Sequence, residues 1–220
     1  MPSTLHPLFA VFFLPGCPRV DREHFPAMID GWRAGLQLPH VPFVYVELCK
    51  VMGQEDSLTN NFWSAQRAAT ALPSVGFATT TDIERATHPP DKQDVATRLA
   101  LELRRLAFGE AVVSRGPELV SAAAASTGLS LKFSNASLSS HAGIMVGNAS
   151  SCGHSADGLA SDPVRKQPLS WSISGDTLTV HCSDPNGLVR INADFTGCFL
   201  YGPSGLPAPP LLLLCNQTIN

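Results

Sequence analysis

The fold is decided by an early stretch of the chain, Phe25 to Leu48, which reads FPAMIDGWRAGLQLPHVPFVYVEL. Its apolar residues first recur at helical spacing, which predicts a helix over residues 25–36. Two prolines then end that helix, and a short β-branched and aromatic run at 43–48 predicts a strand. A helix followed closely by a buried strand is a unit from which α/β sheets are built.

The same alternation continues to about residue 110. Residues 53–61 are polar and predict a loop, residues 62–72 carry an apolar helical face, and residues 75–81 predict a second strand. The third predicted helix, 92–109, follows the loop 82–91. Helix, strand, helix, strand, loop and helix in this order predict an α/β fold: a three-layer domain with a parallel sheet.

The third helix has the clearest boundaries. Asp91 stands where a residue caps a helix, Asp94 stands where a capping box places an acid, and Gly109 is a typical C-terminal stop. Lys92 is the first residue of the predicted helix. We therefore interpret Asp91 and Lys92 as structural residues.

The pattern changes after residue 110. Short strands are predicted at 129–133, 170–173, 177–181, 188–193 and 211–215, with turn residues between several of them. Residues 121–126 are small and uninformative, and residues 139–168 predict a long loop rich in Ser, Gly and Ala. We predict an unmatched segment at 1–24, the α/β part at 25–110 and a small antiparallel β module at 125–220.

Composition excludes several classes of protein. The chain has 220 residues, 44% of them hydrophobic, and a net charge of −3 from 15 basic and 18 acidic residues. A chain without basic excess has no electrostatic footprint for nucleic acid. No apolar run reaches the roughly 18 to 20 residues that a membrane span needs. We expect no nucleic-acid partner, no membrane span, no cofactor and no metal site.

The cysteines and sequons indicate an oxidising compartment. There are six cysteines, without any Cys-x-x-Cys pair, and four lie after residue 150. This crowding suggests disulfides, although spacing leaves their pairing open. Three Asn-x-Ser/Thr sequons, at Asn135, Asn148 and Asn216, lie in the same half. Together they favour a secretory or lysosomal location.

The N-terminal apolar run 8–14 is a separate matter. It has the length of a signal-peptide core, but residues 1–7 contain no Lys or Arg and prolines flank the run. We interpret it as a short buried strand, or as sequence foreign to the domain.

The loop after the second strand could carry chemistry. In open α/β sheets, ligands bind outside the carboxyl ends of the strands, and this loop leaves such an end. It contains Asp82, Glu84 and His88. A histidine oriented by a carboxylate is the usual base for a serine nucleophile. Spacing alone favours a surface histidine in a polar loop.

Five blocks of sequence favour the catalytic interpretation of this histidine over the surface one. They are FPAMIDGWR (25–33), PFVYVEL (42–48), FWSAQR (62–67), TTDI…HPPDKQDV (80–95) and LYGPSGLPAPP (200–210). In this order they resemble the sialate O-acetylesterase family, closely over 25–110 and less closely over 198–213. The histidine block is the most specific of the five.

The resemblance implies an SGNH-hydrolase-like core, of which this chain carries a C-terminal portion. Such esterases remove acetyl groups from sialic acid hydroxyls through a serine nucleophile, an acyl-enzyme and a histidine base. His88 matches the family's catalytic histidine. Asp82 is the candidate acid that orients it, with Glu84 second, because the spacing to the histidine is shorter than in the family. The expected substrate is an O-acetylated sialic acid or a related acetylated sugar.

The chain departs from the family at the nucleophile. The family's serine block precedes the FPAMI segment, and neither Gly-Asp-Ser nor Gly-x-Ser-x-Gly occurs in this sequence. We expect a truncated esterase, poorly active alone and prone to aggregate or to need a partner, with its oligomeric state open. Two alternatives remain: a non-catalytic glycan-binding or interaction module, and an acetylesterase of the same superfamily acting on xylan or other plant sugars.

Overall fold

The chain forms two compact units, residues 1–114 and 115–220, in a computed structural model. The structure describes residues 8–9, 18–48, 56–83, 91–126, 128–134, 170–182, 188–192 and 200–219. Within those ranges, no helix has both the length and the apolar character that crossing a membrane requires.

The described part of the first unit alternates helices and parallel strands. Its elements are β1 Leu8–Phe9, α1 Pro18–Gly35, β2 Phe43–Glu47, α2 Asp56–Ala68, a 3-10 turn Ala69–Ala71, β3 Val75–Thr79 and α3 Lys92–Phe108. The strand order is β1-β2-β3, and both neighbouring pairs are parallel. The predicted parallel sheet of an α/β fold is therefore confirmed.

Alternate residues of β2 and β3 face two separate cores, which gives the three layers. Phe43 and Tyr45 pack with Phe77 and with Phe25 and Ile29 of α1. On the other face, the strand residues Val44, Val46 and Ala78 pack against the apolar stripe of α3, which consists of Val95, Leu99 and Leu103. All ten residues of these two strands are buried, as expected for a sheet covered on both faces.

The element boundaries differ from the sequence predictions at two helix starts. Helix α1 begins at Pro18 rather than at residue 25, and α2 begins at Asp56, inside the stretch 53–61 predicted as a loop. Both extensions are polar, so they carry no apolar stripe by which a sequence reveals a helix. The predicted run 8–14 is a strand at Leu8–Phe9, and residues 10–14 lie outside the described ranges.

Helix α3 begins and ends as its sequence predicts. The Asp91 carboxylate accepts hydrogen bonds from the backbone N–H groups of Gln93 and Asp94, at 3.0 Å each. At the other end, Gly109 has a φ of 65°, in the left-handed region that favours glycine. The structural role expected for Asp91 is confirmed.

A glycine in β3 makes room for a buried carboxylate from α3. Glu102 is fully buried against Gly76, and a Cβ added at Gly76 would overlap the Glu102 carboxylate. Arg105 donates to both Glu102 oxygens, and the Ser114 hydroxyl donates to Glu102 Oε2. The buried charge is thus paired and hydrogen-bonded, which offsets the cost of its desolvation.

At the end of the sheet where the strands begin, a buried arginine joins three segments. Arg33 of α1 donates to the carbonyl oxygens of Val41 (2.9 Å) and Pro73 (2.8 Å), which precede β2 and β3. The arginine of the FPAMIDGWR block therefore has a structural role: it fixes the helix to the entries of both strands.

The second unit is a small antiparallel β module. Its strands are β4 Glu118–Ala125, β5 Gly128–Ser134, β6 Ser170–Ser174, β7 Thr177–His181, β8 Leu188–Ile191 and β9 Leu211–Leu214. A four-stranded sheet has the order β4-β5-β7-β6, and β8 pairs with β9. Buried residues of both sheets share one core. The strand β4 was missed, because its alanines give no β signal and its stability comes from pairing with β5.

Two features close this unit. A disulfide joins Cys182, next to the end of β7, to Cys215, next to the end of β9. Asn192, fully buried, donates from Nδ2 to the carbonyls of Leu200 and Ala208 and accepts the Leu200 N–H at 2.5 Å. The disulfide shows one pairing that spacing had left open.

Candidate active site

Polar side chains gather at the carboxyl ends of β2 and β3, the edge where open α/β sheets bind ligands. Glu47 is the last residue of β2, Thr79 is the last residue of β3, and Thr80 to Asp82 follow it. Arg67 of α2 and Arg98 of α3 reach this edge from the two helical layers. We call these residues and their partners the carboxyl-edge cluster.

Glu47 forms the centre of one half of the cluster. Its carboxylate has no exposure to solvent, accepts a hydrogen bond from Arg67 Nε at 2.5 Å, and accepts another from the Thr79 hydroxyl at 3.0 Å. The Thr80 hydroxyl donates to the Glu47 carbonyl at 3.2 Å. A buried carboxylate held by a cation and a hydroxyl from two other segments ties β2 to α2 and β3.

Helix α2 is attached to the end of β2 by further hydrogen bonds. The indole N–H of Trp63 donates to the Leu48 carbonyl at 2.6 Å, and the Leu48 N–H donates to Gln66 Oε1 at 3.1 Å. The Tyr45 hydroxyl donates to the Gln66 carbonyl at 2.8 Å. Backbone groups at the strand end thus have defined partners, as buried groups require.

The other half of the cluster is a two-pronged ion pair. Arg98 Nη1 donates to Asp82 Oδ1 at 2.5 Å, and Nη2 donates to Asp82 Oδ2 at 2.7 Å. Nη1 also donates to the Thr79 carbonyl at 2.7 Å. The side chains are 12% and 4% exposed, so the pair is largely shielded from water. Asp82 and the end of β3 are therefore fixed to α3.

Thr81 differs from its neighbours in the cluster. Its residue is 4% exposed, and its hydroxyl oxygen has no hydrogen-bond partner among the residues described. A buried hydroxyl without a partner costs stability, so the position invites a direct test.

The predicted catalytic residues are only partly within the described structure. Asp82 is described, whereas His88 and Glu84 lie in 84–90, outside the described residues. That short segment runs between Ile83, one residue past Asp82, and Asp91, the cap of α3. The roles of His88, Asp82 and Glu84 stay predictions. Within the described ranges, no group of three His, Cys, Asp or Glu side chains could hold a metal ion.

Comparison with solved structures finds several that resemble this chain, and one of them is an acetylesterase. No protein-family profile matches this chain. No curated protein matches it at a significant level. Its structure is similar to that of a novel carbohydrate acetylesterase from Xanthomonas citri, with a TM-score of 0.66 and 27% sequence identity. The match covers 88% of this chain and 46% of the acetylesterase, so the chain spans about half the length of that protein.

The match supports a relationship to carbohydrate esterases. It runs through most of the chain, and it does not distinguish the sialate branch from others. Sequence reasoning found Asp82 but missed Glu47, Arg67 and Arg98 as members of the carboxyl-edge cluster. One signal was available for Glu47, because a carboxylate that ends a β-branched run is placed at a strand's carboxyl end.

Proposed function

We propose that this chain supplies part of the catalytic apparatus of a carbohydrate esterase that removes O-acetyl groups from sialic acids. The structural likeness to a carbohydrate acetylesterase over 88% of the chain supports an acetylated carbohydrate as substrate. The sialate branch is the finer part of the proposal. It rests on the five sequence blocks, among them LYGPSGLPAPP at 200–210.

The proposed chemistry is acyl transfer through a serine, in a partial SGNH-hydrolase-like domain. His88 would take the serine proton as the hydroxyl attacks the acetyl carbonyl, and would return it to the departing sugar hydroxyl. Water would then release acetate from the acyl-serine by the same route. The serine itself is left unassigned, since neither of its usual motifs occurs in this sequence.

Asp82 is compatible with the role of orienting acid. Arg98 donates one hydrogen bond to each of its carboxylate oxygens. The ion pair holds the carboxylate in one orientation, and a fixed acid selects the tautomer and direction of a histidine better than a mobile one.

A secretory or lysosomal location belongs to the same proposal. The Cys182–Cys215 disulfide supports it, because such bonds persist in oxidising compartments. The three sequons in the same half of the chain are consistent with it.

A second candidate function is a glycan-binding or interaction module without catalysis. The observation that favours it is the absence of a Gly-Asp-Ser or Gly-x-Ser-x-Gly motif from the sequence. Loss of a nucleophile removes nearly all acceleration beyond binding and oxyanion stabilisation. Under this proposal the carboxyl-edge cluster would serve the fold and not the reaction.

The deciding experiment measures acetate release from O-acetylated sialic acid, acetylated xylan and a chromogenic acetyl ester. The wild type is compared with His88→Ala and with His24→Ala, whose histidine is exposed on α1. Catalysis by this chain, with one of its own serines completing the site, predicts release by the wild type, at least a hundredfold less by His88→Ala, and no change in His24→Ala. A preference for sialic acid over xylan would support the sialate branch.

Equal inactivity of all three folded proteins would contradict catalysis by this chain. Calorimetric titration with the same acetylated sugars then tests the second candidate. Binding that survives His88→Ala would support a glycan-binding module, whereas absence of binding would exclude it.

A further inference from the structure

The segment that follows β9 combines a sequon with two structural anchors. Cys215 is buried and bonded to Cys182, and Asn216 directly follows it as an exposed residue. Asn216, Gln217 and Thr218 form an Asn-x-Thr sequon whose middle residue is not proline. The sequon therefore begins beside a covalent link to the core.

The second anchor lies just beyond the sequon. Ile219 exchanges two backbone hydrogen bonds with Ala122 of β4, at 2.9 and 2.8 Å. Between the anchors, the Gln217 N–H donates to the Leu214 carbonyl at 2.9 Å, which closes a turn. The sequon is thus a short turn held at both ends, with Asn216 and Thr218 both exposed.

We propose that Asn216 is an N-glycan acceptor. The donor would be an oligosaccharide linked to a lipid diphosphate. The Asn216 amide nitrogen forms a bond to the first sugar carbon and loses a proton, while the sugar-to-phosphate bond breaks. The lipid diphosphate departs with the bonding electron pair, so the transfer needs no oxidant or reductant.

The side chain that would carry such a group lies at the surface of the module. A glycan is bulky and solubilising and must project into water. Asn216 is exposed, whereas the apolar contacts of this region are made by Cys215 and Leu213, which are buried in the core of the module. The neighbouring disulfide forms in the same kind of compartment in which glycan transfer takes place.

The two anchors also set the order of events. A transferase must draw the asparagine and the threonine of a sequon into its own site, which requires a free backbone. Closure of the Cys182–Cys215 bond and of the Ala122–Ile219 pair restrains that backbone. Glycan transfer to Asn216 therefore competes with folding of the module, and delaying the disulfide raises the fraction modified.

To test the proposal, the full chain is expressed in a eukaryotic cell with an added secretion leader at its N-terminus. The secreted protein is then analysed. Enzymatic removal of the glycan in heavy-oxygen water converts a modified asparagine to labelled aspartate, which peptide mass spectrometry locates. We expect label at Asn216 in the wild type, its loss in Asn216→Gln and Thr218→Ala, and a higher labelled fraction in Cys182→Ser.

An unlabelled Asn216 in both the secreted wild type and secreted Cys182→Ser would overturn the acceptor proposal. Equal labelling of those two proteins would overturn the competition with folding. Neither readout involves ester hydrolysis, so the result is independent of whether the chain is an esterase.

Discussion

Arg98 and Asp82 face each other through two hydrogen bonds of 2.5 and 2.7 Å, one to each carboxylate oxygen. The arginine lies on α3, and the aspartate lies just after β3. Because the same guanidinium also binds the Thr79 carbonyl, one side chain fixes both the strand end and the first turn beyond it. The candidate acid of the proposed site is thus held in place by a residue from another element of the fold.

Replacing Arg98 by Met should destabilise the first unit by about 3 kcal/mol, because it leaves a shielded carboxylate without its cation. Arg104→Met is the matched control on the same helix. Its partner is Glu110, both side chains are well exposed, and we expect a cost below about 1 kcal/mol. Hydrogen exchange of the β3 and α3 amides measures the loss of stability in each of the two variants. Equal costs in the two variants would show that burial adds nothing to the Arg98 pair.

Thr81→Val should leave the first unit unchanged in stability or stabilise it by about 1 kcal/mol, since it removes a buried hydroxyl without a partner among the described residues. Thr79→Val, two positions earlier, should destabilise it by roughly 1–3 kcal/mol because Glu47 loses a hydrogen bond. Urea unfolding, monitored by tryptophan fluorescence, compares the free energies of unfolding of the two variants. A large loss in Thr81→Val would reveal a partner for that hydroxyl.

Gly76→Ala should destabilise the first unit by about 1–3 kcal/mol, because the added methyl group overlaps the buried Glu102 carboxylate. Gly31→Ala is its control. Gly31 lies in α1 with nothing within 4 Å of an added Cβ, so alanine there should stabilise the helix by about 0.5–1 kcal/mol. The midpoint temperatures of thermal unfolding of the two variants should shift in opposite directions relative to the wild type. A stabilised Gly76→Ala would disprove the overlap.

Loss of the disulfide should destabilise the second unit by about 3–4 kcal/mol, the loop-closure value for a separation of 33 residues. Cys182→Ser and Cys215→Ser should be equally affected, because each removes the same bond. Limited proteolysis compares the resistance of the second unit to cleavage in the wild type and in the two variants. A wild type that resists proteolysis equally with and without reductant would argue against a stabilising bond.

The sequence predicted structure that depends on neighbouring residues better than it predicted which distant residues contact each other. Helix α3 was predictable because Asp91 and Gly109 give signals that neighbouring backbone groups alone decide. Strand β4 was not, since its alanines form a strand only through their partner β5.

For the candidate site, sequence placed Asp82 after a strand but could not show its partner. Arg98 lies 16 positions away, and whether a helical arginine faces solvent or a strand end depends on how the layers pack. The pairing of Cys182 with Cys215 was hidden for the same reason.

The contacts of Asn192 have an evolutionary consequence. Its amide binds the backbone groups of Leu200 and Ala208, whose own side chains are hydrocarbon and form no hydrogen bonds. Substitutions at these two positions therefore leave the amide's partners in place, so long as the new side chains fit the core. The two segments joined by Asn192 therefore stay connected through groups that every amino acid at positions 200 and 208 would supply.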